Sequence, residues 1–75
     1  MTEDRFRKEL SIINNQREYF KECLKNGFIM EHIGEDGDKM LFKERVYEHQ
    51  DFFQDMDILD RDEKHLREFY KNHKE

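Results

Sequence analysis

Seven carboxylates, Glu48, Asp51, Asp55, Asp57, Asp60, Asp62 and Glu63, fall within sixteen residues, with Arg61 the only strong base among them. Carboxylates at this density can hold a divalent cation, work as an acid–base pair or attract a positively charged macromolecule. The cation reading fails on spacing. A calcium loop opening at Asp55 needs Gly at its sixth position and Glu at its twelfth, where Asp60 and Leu66 stand. His32, His49, His65 and His73 show no metal-binding spacing, and Cys23 is the only cysteine, which leaves a zinc site short of thiolates. Ser11 is the only serine and has no nucleophile signature around it. A lone Cys more often packs as a small hydrophobe than reacts, and a domain this small has little room for a cleft. The sequence therefore predicts no catalytic residue, no metal and no cofactor.

Attraction of a basic partner remains. Residues 1–27 balance at +1, residues 28–47 at −2 and residues 64–75 at +2, so the whole excess of negative charge, −6, sits in residues 48–63. On a helix, Asp51, Asp55 and Asp62 fall near one side, beside Phe52. The expected partner-binding surface is Glu48, Asp51, Asp55, Asp57, Asp60, Asp62 and Phe52, set against the plainer reading of a solvated face. Mimicry of DNA phosphates is a special case that needs carboxylates in two rows at the spacing of a duplex. Direct nucleic-acid binding is disfavoured by the net charge of −5 and the lack of a basic stripe.

Such a surface needs a scaffold, and the strongest periodicity lies at the other end of the chain. Phe6, Leu10, Ile13, Arg17, Phe20 and Leu24 follow one another at intervals of four and three, the repeat of an amphipathic helix over residues 3–25. Thr2 is placed to cap it, Glu3 and Asp4 meet its positive end, and Asn26-Gly27 closes it. Ile12, Tyr19 and Cys23 form a second apolar row that something must cover. Next, two apolar runs, 28–33 and 39–47, flank Gly34-Glu35-Asp36-Gly37-Asp38, the pattern of a β-hairpin. Phe28, Met30, His32, Met40 and Phe42 share one face if Met30 lies opposite Phe42. A tighter Asp36-Gly37 turn would pair Ile33 with Met40. The hairpin is expected to pack on the first helix, because two strands alone are barely stable.

A second helix is expected from about residue 47 to 56 or 59. Asp60 and Glu63 then resemble the two halves of a capping box that would open a third, although no Pro prevents the two from being one. The predicted fold is a small single α+β domain over 1–75, with element order α-β-β-α-α or α-β-β-α. No apolar run exceeds three residues, so no membrane span and no secretory leader is expected, and the single thiol fits a cytoplasmic protein.

The apolar residues exceed what one small interior can cover, and such surplus marks interfaces. A homodimer is expected, with Phe6, Leu10, Ile13, Arg17 and Phe20 at the seam and Arg17 paired across it. In length, acidity, aromatic content and lack of Ala and Pro, the chain is similar to the small accessory proteins encoded by bacteriophages and mobile elements, a likeness of composition spread over its whole length. That likeness implies a non-enzymatic inhibitor acting on a host nucleic-acid or defence protein with a basic surface. The alternative is a structural or adaptor subunit that completes a larger assembly through an apolar face.

Overall fold

Thr2 sits in extended backbone and its hydroxyl accepts the Arg5 amide at 3.2 Å, so the first helix starts where an oxygen satisfies an otherwise orphaned N–H. The computed structural model describes residues 1–74. Helix α1 runs Glu3–Asn26 and ends at Gly27, whose φ of 85° is a left-handed conformation open to glycine. Strand β1 (Phe28–Asp36) and strand β2 (Lys39–Val46) follow as an antiparallel hairpin, and helix α2 (His49–Asn72) completes the chain.

The single-domain α+β architecture is as the sequence predicts, and the structure decides two points that the sequence leaves open. The first concerns the C-terminal half, which is one unbroken helix. Neither Gly nor Pro occurs between His49 and Asn72, and Asp60 and Glu63 bond to Arg17 instead of capping a new turn. The capping box lies earlier, at Glu48 and Asp51, where the Asp51 carboxylate accepts the Glu48 amide at 3.0 Å. The second concerns the hairpin. Its turn is Gly37-Asp38, with positive φ at Gly37 (63°) and at no non-glycine residue, the arrangement of a type II′ turn. Phe42 therefore lies opposite His32 and Met30 opposite Glu44, with an irregularity between His32 and Gly34 that sets Ile33 out of the ladder.

α1 and α2 are antiparallel neighbours. Phe6 stacks on Tyr70 at 4.4 Å near one end, and Arg17 meets Asp60 and Glu63 further along. The apolar stripe of α1 thus faces Met56, Leu59, Leu66 and Tyr70 of α2. Among the described residues, the buried apolar side chains are only Ile13, Cys23, Tyr47 and Leu59. The hairpin does not lie over this core. Tyr47 N–H donates to the Gly27 carbonyl at 2.9 Å and fixes the hairpin's base, while the large apolar side chains beyond, apart from the half-buried Ile29, stay exposed. A 24-residue helix is about 36 Å long and a nine-residue strand about 30 Å. The long dimension of the molecule is only 42 Å, so the hairpin turns aside as an arm, and the whole is a slab 14 Å thick. No helix among the described residues is long and apolar enough to cross a membrane.

Candidate functional site

Helix α2 carries the acidic stretch, and its carboxylates are divided between partners within the chain. At the first turn, Asp51 accepts the Glu48 amide and also stands 3.6 Å from the Arg45 guanidinium on the arm. One turn on, Asp55 accepts a 2.6 Å hydrogen bond from the Tyr47 hydroxyl. Asp57 pairs with Arg61 at 3.0 Å, and Asp60 with Arg17 at 2.8 Å. Glu63 is held between Arg17 at 2.7 Å and Arg67 at 3.0 Å. Asp62 makes no hydrogen bond or ion pair among the described residues. Phe52 is half-buried, its ring tilted against Phe53 at 6.0 Å. Asp51, Asp55 and Asp62 lie on one side of α2 and Asp57 and Asp60 on another, so the charge is not gathered into a single ridge.

These bonds shift the groups they join. The hydrogen bond from Arg17, then that from Arg67, holds the Glu63 carboxyl below the usual range, and Glu63 in turn raises Arg17. Burial, then the bond to Asp55, pushes the Tyr47 phenol well above its ordinary value. Tyr19 is raised first by its hydrogen bond with Cys23 and then by burial.

The stripe expected at a subunit seam is spent inside the chain. Phe6 lies against Tyr70 with Arg67 over its ring at 5.9 Å, Ile13 is buried, and Phe20 stacks on Tyr47 at 6.1 Å. Leu10 is half-buried on the same side, and Arg17 points across to α2. One helix pair consumes the whole series because α2 offers a matching stripe at the same spacing.

The arm presents the contrary case. One of its faces carries Phe28, Met30, His32, Met40, Phe42 and Val46 in adjoining rows, interrupted by Glu44 opposite Met30 and Glu35 opposite Met40, with His32 and Phe42 in ring contact at 5.6 Å. Nothing covers it: Phe42 is 51 % and Val46 66 % exposed. The apolar grouping was legible in the alternation of the strands. Its exposure was not, because it depends on which way the hairpin leaves the helices. Val46 and Tyr47, adjacent in sequence, meet opposite fates, and Tyr47 as the buried anchor (2 % exposed) carries no sequence signal beyond its position between strand and helix.

No family model matches the chain, and no curated protein or solved structure matches it. What the surface can do must therefore come from its own chemistry. Among the described residues, no three metal-ligating side chains converge and no pocket forms. The largest feature without a partner is apolar, the bare face of the arm.

Proposed function

We propose that this chain is a non-enzymatic protein-binding subunit that joins a larger assembly through the apolar face of its β-arm. The observation that carries this reading is the exposure of Phe28, Met30, Met40, Phe42 and Val46 on one face of a two-stranded sheet. An isolated hairpin is marginal in water, and apolar patches of this kind mark interaction surfaces. Main-chain groups along its two free edges would add strand-to-strand hydrogen bonds to a partner. The reducing cytoplasm, consistent with the single buried thiol of Cys23, is the proposed place of action.

A second reading, docking to a basic partner through α2, is favoured by Asp62, which has no partner among the described residues, and by Asp57 and Asp60, which stay 60 % and 71 % exposed although paired. Salt separates the two, because contacts between exposed charges are screened and apolar burial is not. Quantitative affinity capture with the wild-type chain, Phe42→Asp and the double variant Asp57→Asn/Asp62→Asn, at low and high salt, decides between them. The arm reading expects capture lost with Phe42→Asp and retained at high salt. Capture that disappears at high salt and with the Asn substitutions would overturn it in favour of the acidic helix.

A further inference from the structure

Domains are built from at least two packed layers, and this chain supplies one. Its 14 Å thickness goes with a radius of gyration of 15.6 Å, where a compact chain of this length has about 11 Å and one of twice the length about 15 Å. Its accessible surface is 6259 Å². A compact protein of 9.4 kDa exposes about 5,000 Å², so the excess is larger than the roughly 800 Å² that each partner loses in a stable interface.

The helix pair shows where that layer is missing. Ile13 and Leu59 are the buried residues with which α1 and α2 face each other. At about 100° per residue, Ile12 and Tyr19 lie about 100–120° around α1 from Ile13, and Ile58 and Phe69 about 80–100° around α2 from Leu59, all in the same rotational sense. Because the helices are antiparallel, all four share one broad side of the slab, where they are between 47 % and 54 % exposed.

Their order along the helices is symmetric. The midpoint of Ile12 and Tyr19 lies between residues 15 and 16, and that of Ile58 and Phe69 between residues 63 and 64. These points stand at nearly the same height, since Arg17 bonds to Glu63 at 2.7 Å. Asp62 and His65, without partners among the described residues, share the second midpoint, and Lys8 and Glu22, at the rim, are centred on residue 15. We propose that a second copy of this chain packs on this face about a two-fold axis through both midpoints. Ile12 then meets the partner's Tyr19, Ile58 meets the partner's Phe69, Asp62 meets the partner's His65, and Lys8 meets the partner's Glu22. An isologous contact must be self-complementary in this way, whereas an unrelated partner gives no reason for apolar and charged residues to be symmetric about one height. The result is a four-helix layer pair with both arms still free, so the inference does not depend on what the arm binds.

Sedimentation equilibrium on the full chain tests the proposal, with circular dichroism to confirm that each variant keeps its helices. A dimer is expected, weakened about tenfold or more by Tyr19→Glu or Phe69→Glu. Lys8→Glu alone weakens it, and adding Glu22→Lys restores it. Mixing Ile12→Cys chains with Tyr19→Cys chains yields a cross-linked pair that neither forms alone. A monomer up to the solubility limit overturns the proposal, and so does a dimer that ignores these substitutions but is broken by Phe42→Asp in the arm.

Discussion

The Tyr47 hydroxyl donates a 2.6 Å hydrogen bond to Asp55 across the junction between β2 and α2. Its own backbone N–H donates to the Gly27 carbonyl, and its ring stacks on Phe20. One buried residue thus ties the base of the arm to both helices, and the direction in which the arm leaves the slab depends on it.

Tyr47→Phe keeps the ring and removes the hydroxyl, leaving Asp55 half-buried without its donor. A loss of about 1–2 kcal/mol is expected in chemical denaturation. The wild-type protein should also be alkali-sensitive at this site. Folding raises the Tyr47 pKa above its unfolded value near 10, so its contribution is fully present below about pH 10 and is lost as the pH climbs through the folded value. Thermal melts between pH 8 and 12 should fall more steeply for the wild type than for Tyr47→Phe.

The opposite edge of the pH range belongs to Glu63. Its folded pKa is depressed by Arg17 and then Arg67, so its stabilisation is present above the unfolded value of about 4.3 and is lost as pH falls through the lower, folded value. Arg17→Met retains the packed stem and removes the guanidinium. It is expected to cost about 1 kcal/mol at pH 7 and to flatten the acid limb of the stability curve, and denaturation midpoints from pH 7 to 3 measure both.

How far the sequence could be read follows from which choices are local. Helix α1 was legible throughout because the Thr2 cap, the Gly27 stop and the apolar stripe agree over neighbouring residues. The break expected before Asp60 rested on a local capping pattern, which lost to the bonds that Arg17 makes to Asp60 and Glu63 from 43 and 46 residues away. The hairpin register turned on a single conformation, positive φ at Gly37 as the first turn residue, which Asp36-Gly37-Asp38 leaves open. For the site, the density of carboxylates was visible, but their partners Arg45, Tyr47 and Arg17 lie on other elements. Whether charge is free or spent is a tertiary property.

Gly27 offers a test of the helix stop. A Cβ there would meet nothing within 4 Å, so Gly27→Ala is penalised only through the backbone at φ 85°. A loss of about 1 kcal/mol is expected, and less for Gly27→Asn, which tolerates left-handed backbone better. Urea unfolding should show a lowered midpoint with an unchanged slope.

The arm and the core should answer substitution in opposite ways. Leu59 is 4 % exposed between the helices, and Leu59→Ala should cost about 2–5 kcal/mol by opening a cavity. Phe42 and Val46 already face water, so Phe42→Thr and Val46→Thr, which put a strand-favouring β-branched residue at each position, should change stability by no more than about 0.5 kcal/mol. Yet the same two changes remove much of the bare apolar face, and binding of a hydrophobic dye to the native chain should drop together with partner capture. If instead they unfolded the protein as Leu59→Ala does, the arm would be part of the core and its exposed face could not be reserved for another molecule. A variant that is stable, dye-silent and unable to bind would separate folding from function within one 75-residue chain.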